Sequence, residues 1–271
     1  MTSKLYIIAT PLGNLGDITL RAIETFNTLD VFFAEDSREF QKLLLALKIS
    51  IEGKRIYSYA SHNLKEATES AIQLLSEGKS VGLVTDRGTP AISDPGAQLA
   101  QRAHLENIPV IPVPGVSSLT TLISVCGLSS SEFEFIGFIP SQDKQRNLLW
   151  ENLAKRGIPA VFFESPKRIR ETVTELKKTF PKGSLFIGRE MTKKFEEYRW
   201  FNLDSIVPDS LQEIGEYAIV LVPGEKETVS DLDQEISVRL ASDKDWAKHV
   251  AARLGVASSD VYNALQKKKH R

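Results

Sequence analysis

The sequence predicts an α/β protein built from two α/β domains, residues 1–115 and 116–225, followed by a small helical extension over 234–271. Three observations carry this. Short apolar runs of strand length alternate with helical patterns through the first half, which implies a mostly parallel sheet. Several of those runs end in loops rich in proline, glycine and small hydroxyl residues. Past residue 133 the alternation loosens, and the pattern becomes more antiparallel and mixed.

In order, residues 5–9 (LYIIA) form a continuous apolar run suited to a buried parallel strand. The turn of residues 10–17 carries Pro11, Gly13 and Gly16, after which Asp17 or Thr19 caps a helix reaching about Leu29. Residues 31–34 give a second strand that ends in Glu35, Asp36, Ser37 and Arg38, completing a βαβ opening. Glu35 and Asp36 stand where a ribose-binding carboxylate of a dinucleotide site would stand. The glycines do not fit such a site, because Gly13 and Gly16 give only G-x-x-G and Pro11 sits inside the turn. A nicotinamide-dependent enzyme is therefore a minor reading.

Residues 41–47 predict a helix, 55–59 a strand, and 64–75 an amphipathic helix stopped by Gly78. The strand of residues 80–84 then delivers the chain into a long loop with Asp86, Arg87, Gly88, Thr89, Pro90, Ser93, Asp94, Pro95 and Gly96. Its prolines fix φ and withdraw donors, its glycines permit close backbone approach, and Thr89 and Ser93 offer hydroxyls. Open α/β sheets bind ligands at such strand ends. A helix over 97–106 and a strand over 108–113 lead to Pro114, Gly115, Ser117 and Ser118, one of the two serines capping a helix toward Cys126. Together the loops describe one ligand cleft, although each taken alone also serves as turn or cap chemistry.

In the second half, residues 141–157 and 166–179 predict helices, and 159–163, 184–188 and 216–222 predict strands. Residues 225–233 read as an acidic linker. Beyond it, Trp246, Val250 and Leu254 recur at helical spacing, and Gly255 divides a helix-turn-helix-like pattern. A helical appendage packing on the body fits that pattern as well as a nucleic-acid-binding unit does.

Cys126 is the lone cysteine, which excludes an intrachain disulfide and a cysteine-based zinc site, and the four histidines lack metal-ligand spacing; no metal is assigned. No apolar run reaches the ~20 residues of a membrane helix, so a cytoplasmic protein is expected. The net charge of −1 is unevenly spread. Residues 141–200 hold 14 Lys and Arg against 8 Asp and Glu, a basic island of +6. Such an island suits a nucleic-acid partner if its charges converge, and is a solvated surface if they do not.

The motifs at residues 10–17, 34–38, 86–96, 113–115, 163–168 and 189–193 come in an order that resembles the tetrapyrrole methylase family, in the branch acting on small-subunit ribosomal RNA. The resemblance covers nearly the whole chain. It implies S-adenosylmethionine bound in a cleft between two α/β domains, a homodimer, and methylation of a cytidine ribose 2′-hydroxyl in the decoding region of 16S rRNA. Methylation of a tetrapyrrole-like small molecule is the alternative within the family. Two positions depart from the family pattern: Arg87 replaces a small residue and Ser37 replaces a threonine. Carried over onto this chain, the pattern puts Pro11, Asp86, Gly88, Thr89, Ser117, Ser118 and Glu164 nearest the cofactor, Glu164 through side chain or backbone. A ribose hydroxyl is a poor nucleophile and profits from a general base. Glu190, Asp36 and Lys193 are the candidates, Glu190 being favoured because Arg189 stands beside it. Arg38, Arg168 and Lys193 are the candidate phosphate contacts.

Overall fold

The computed structural model describes residues 3–224 and 257–269, with single positions 244, 247, 248, 250 and 251 between them. Residues 1–224 form one compact unit and residues 225–271 a second. The first unit contains two five-stranded sheets.

The first sheet holds β1 (Leu5–Ile8), β2 (Val31–Ala34), β3 (Arg55–Ser58), β4 (Val81–Val84) and β5 (Val110–Val113) in the order β3-β2-β4-β1-β5. Every pairing is parallel, as the apolar runs predicted. Parallel strands need crossover helices, and these cover both faces. On one face α1 (Leu20–Thr28) and α2 (Ser37–Ala46) bury Phe26, Phe40 and Leu44 against Ile8, Phe32 and Val84. On the other, α3 (Leu64–Ser76) and α4 (Ala97–Leu105) bury Ala71, Leu75 and Leu99 against Leu5, Phe33 and Leu83. The neighbours β1 and β4 thus send their following helices to opposite faces. That divergence opens a crevice at their carboxyl ends.

The second sheet has the order β6-β7-β10-β8-β9, from β6 (Glu134–Phe138), β7 (Ala160–Glu164), β8 (Ser184–Arg189), β9 (Glu197–Asn202) and β10 (Tyr217–Val222). Only the β6 and β7 pair is parallel. Helices α6 (Asp143–Arg156) and α7 (Ile169–Thr179) cover one face around Trp150, Phe162 and Leu176, while α5 (Ser118–Cys126) covers part of the other through Leu122 and Cys126.

Local chemistry corrects several expected boundaries. Thr19, not Asp17, caps α1, its Oγ1 accepting from the Ala22 N–H at 3.2 Å. Helix α2 starts four residues before the expected Gln41, because the Asp36 carboxylate accepts from the Arg38 N–H and caps it. Helix α7 starts at Ile169 and not at Pro166. Strand β9 was not predicted at all. Its burial follows no alternation, and aromatic side chains lie on both faces of this edge strand, which leaves no simple apolar period to read.

In the second unit, helix α8 (Ser258–Lys269) matches the last predicted helix. Ala247 and Ala251 are buried one helical turn apart. The expected linker, Trp246, Leu254 and the turn at Gly255 lie outside the described residues, as do His270 and Arg271.

Candidate functional site

The crevice between β1 and β4 is laced shut at its base by main-chain bonds. Thr10 and Gly88 exchange two, Thr10 N to Gly88 O at 2.9 Å and Gly88 N to Thr10 O at 3.0 Å. The Thr10 hydroxyl donates to the Thr85 carbonyl, the Thr89 hydroxyl to the Val116 carbonyl, and the Ala9 N–H to the Val113 carbonyl. The loops after β1, β4 and β5 therefore converge. Gly88 adopts φ +78°, and a Cβ there would come within 3.1 Å of Leu12, so this junction requires glycine.

The loop after β2 joins the same rim through carboxylates. Asp86 Oδ1 accepts from the Asp36 N–H at 3.0 Å, and Glu35 Oε2 accepts from the Asp86 N–H at 3.3 Å. Asp94, eight residues along the central loop, couples to both Glu35 and Asp86. Burial first, and then these two neighbouring charges, push its pKa up to about 7. Asp94 forms no hydrogen bond or ion pair with a described residue. Its segment is strained, with Ala91 at φ +68° and Ser93 at φ +64°. Ser93 also closes on β6, its Oγ lying 2.7 Å from where a Cβ of Gly137 would sit. Sequence reading placed Asp94 in the loop but gave it no role, because nothing local marks its burial beside two other acids.

Among the expected cofactor contacts, Pro11, Gly88, Thr89, Ser117 and Asp86 are thus gathered at or beside one junction. Ser117 is nearly buried at the start of α5 and makes no capping bond with its side chain, and Ser118 opens the helix. Glu164 is different. Its carboxylate is fully enclosed in the second half and accepts from Thr172 Oγ1 at 2.7 Å, from the Ser165 N–H at 2.6 Å and from Arg168 at 2.6 Å. It clips β7 to α7, and only its backbone is left to meet a ligand.

The expected bases and phosphate contacts prove to be heavily partnered. Asp36 caps α2 and pairs with Arg38, whose hydrogen bond holds its carboxyl down at about 2, too acidic for a general base. Glu190, at φ +51°, accepts from Lys193 Nζ at 2.8 Å and from the Glu216 N–H at 3.0 Å. Lys193 also reaches Glu216 at 3.0 Å, and its stem lies across Gly13 in the turn after β1. Arg87 pairs with Glu216 as well. The chain Arg87, Glu216, Lys193, Glu190 therefore ties the central loop of the first half to the β8 and β10 ends of the second. This explains why a long cation stands at position 87: it reaches across the gap. Arg168 bonds the Ile139 carbonyl in addition to Glu164, while Arg38 keeps a side chain 83% exposed.

The basic island does not form one cationic face. Arg146 is 3% exposed and serves Asp143, Glu171 and Glu175, the last through both its Nε and Nη2. Arg170 bonds the Leu211 carbonyl, and Arg189 pairs with Glu197. Lys144, Lys167 and Lys194 remain exposed. Among the described residues no group of three His, Cys, Asp or Glu side chains is arranged to hold a metal ion, and no helix is long and apolar enough to cross a membrane.

Residues 4–206 match the family model described as Tetrapyrrole (Corrin/Porphyrin) Methylases. The chain is 38% identical over 234 residues to the ribosomal RNA small subunit methyltransferase I of Neisseria meningitidis, covering 85% of this chain and 79% of that one. It is 36% identical to the protein of the same name from Halalkalibacterium halodurans, over 96% and 93% of the two chains. In fold it is similar to the crystal structure of the methyltransferase CobJ, with a TM-score of 0.60 at 15% identity over 82% of this chain and 94% of that one.

Proposed function

The chain belongs to the tetrapyrrole methylase family, among its ribosomal RNA small subunit methyltransferase I members, and from that premise we propose that it transfers a methyl group from S-adenosylmethionine to the ribose 2′-hydroxyl of a cytidine in the decoding region of 16S rRNA. The observation that carries the reading is the junction of strand-end loops at the β1 and β4 crevice, rimmed by Glu35, Asp86 and Asp94. Such a rim suits a cationic donor, since carboxylates near low-dielectric walls attract opposite charge. When bound, S-adenosylmethionine supplies the methyl group on a positively charged sulfur. Pro11, Gly88 and the backbone around Ser117 and Ser118 would lie against it, with Asp86 meeting its polar groups. Thr89 has committed its proton to Val116, which leaves its oxygen to accept. Holding two reactants in line is the main demand of such a transfer, and a rigid, main-chain-bonded junction meets it.

The acceptor hydroxyl must lose a proton. Asp36 is too acidic and Glu190 is occupied by Lys193, whereas Asp94 has no hydrogen-bond or ion-pair partner among the described residues and a proton affinity near neutrality. Asp94 is the base in this reading. Lys193 holds Glu190 and Glu216 in place and thereby positions the two halves around the cleft. Arg38 is the phosphate contact retained from the sequence. The enzyme works as a cytoplasmic homodimer.

The deciding experiment incubates the purified chain with labelled S-adenosylmethionine and small ribosomal subunits from cells lacking the protein, then maps the modified RNA by mass. One ribose-methylated cytidine is expected. Transfer to a tetrapyrrole and none to RNA, or saturable binding of NAD with none of S-adenosylmethionine, overturns the reading.

A further inference from the structure

A cavity of about 230 Å³ opens on the second sheet, on the face that carries α6 and α7, beside the edge strand β9. Ile187 and Leu211 form its apolar floor, Phe201 and Tyr217 give it ring walls, and Arg189 and Arg199 stand at its sides. The cavity and the cleft are linked by adjacent residues of the chain. Successive residues of a strand project to opposite faces. At the ends of β10 and β8 Tyr217 and Arg189 line the cavity, while their neighbours Glu216 and Glu190 meet Lys193 at the cleft.

The polar groups are incompletely used. Arg189 commits Nε and Nη2 to Glu197, and its Nη1 bonds to no described residue. The Gln212 carboxamide at the rim is likewise unbonded, while its backbone carbonyl accepts from the Tyr217 hydroxyl. Glu197 also lines the cavity and pairs with Arg199 at 3.4 Å, but Arg199 is 62% exposed, holds its guanidinium 5.1 Å from the Phe201 ring centre and gives Glu197 only its Nη1. Flat apolar walls, a guanidinium plane and free edge-reading donors are what an unstacked nucleobase requires, and an exposed arginine beside them meets its phosphate.

Resting on the reading of the substrate as RNA, we infer that this cavity receives the base of a nucleotide flanking the methylated one in single-stranded RNA, with Gln212 and Arg189 at the base edge and Arg199 on the phosphate. The cavity then fixes which nucleotide enters the cleft, one step along the strand.

The test uses the full chain with S-adenosylmethionine and small ribosomal subunits from cells lacking the protein, comparing wild type with Arg199→Ala and Phe201→Ala. Expected is a rise in KM for the subunit of about tenfold in each variant, with unchanged kcat and cofactor affinity. Ultraviolet crosslinking of the wild type should also leave a nucleotide on the peptide containing Phe201 or Tyr217. Phe201 packs on the core, so its variant is melted alongside. Arg199 lies on an exposed edge, and its variant together with the crosslink decides the matter if Phe201→Ala unfolds. A KM within twofold of wild type for Arg199→Ala, or crosslinks confined to other surfaces, overturns the inference while leaving the methyltransferase reading intact. A wild type that methylates no subunit RNA removes both.

Discussion

In the first sheet the strand-end loops are joined by main-chain hydrogen bonds and finish on carboxylates, whereas in the second a main-chain bond from Glu190 to Glu216 is reinforced by ion pairs between long side chains. The Thr10 and Gly88 exchange and the Asp86 bond to the Asp36 N–H hold the first set. Lys193 between Glu190 and Glu216 holds the second. Main-chain bonds are set by local turns and tolerate few alternatives. Ion pairs open to solvent, as Arg87 with Glu216 is, are weak singly and screened by salt. The first half thus fixes its strand ends through the backbone, whereas the junction between the halves rests on side-chain charges that salt and substitution can change.

The largest expected effect tests the carboxylate side of this contrast. Asp94→Asn should lower kcat by about a hundredfold or more, the range of a lost general base, with cofactor affinity kept within a few fold. In the parent the charged, proton-accepting form of Asp94 grows as pH rises through about 7, so the rate should climb from pH 6 to pH 8, and the variant should lose that limb. Stability moves the other way. A carboxylate raised in the folded state disfavours folding once ionised, so the parent loses stability as pH rises from its unfolded value near 4 to about 7. The variant should then melt higher than the parent at pH 8, with the gap closing toward pH 4. A rate profile unchanged by the substitution removes Asp94 from the chemistry.

The next effect concerns an ion pair that is buried and not at the cleft. Arg146 is enclosed with Glu175, which Trp150 also bonds at 2.9 Å. Arg146→Met strands that carboxylate and should cost about 3–5 kcal/mol, read as a lower melting temperature. Adding Glu175→Leu should restore much of the loss, since a whole buried pair exchanges for apolar packing at little cost. Catalysis per folded molecule should be unaffected in both variants. A change in subunit affinity instead would place Arg146 at the RNA face.

What was legible in the sequence follows the same division. The parallel sheet, its crossover helices and the convergence of loops at Pro11, Gly88 and Ser117 were readable because proline, glycine and apolar runs act through local backbone geometry. Asp94 was given no role because its raised proton affinity comes from burial first, and then from Glu35, some sixty residues away, and Asp86. The partners of Glu164 and Arg146 were not legible for a related reason: their charges are taken up by α7 and the turn before it, which the sequence shows as a helix without showing what it faces. Strand β9, at an open edge, has neither a buried face nor a glycine turn to announce it.

The smallest effect asks whether the charges left over in the second half act together on RNA. Counterion release from single strands gives a log–log slope of affinity on salt of about −0.7 per neutralised phosphate. Arg146, Arg168 and Arg170 already hold protein acceptors, so they have little left with which to displace counterions. Lys144, Lys167 and Lys194 are exposed and remain available. Changing these three lysines to glutamine should flatten the slope by up to roughly two units if all three touch phosphate, while Arg146→Met should leave it unchanged. The measurement is subunit binding across a salt series for wild type, the triple variant, Arg146→Met and a chain ending before Lys267. A triple variant with the wild-type slope shows that the exposed lysines stand away from RNA. If the shortened chain alone loses its salt dependence, the phosphate contact belongs to the carboxyl-terminal residues, and the second sheet contributes shape and base contacts without long-range attraction.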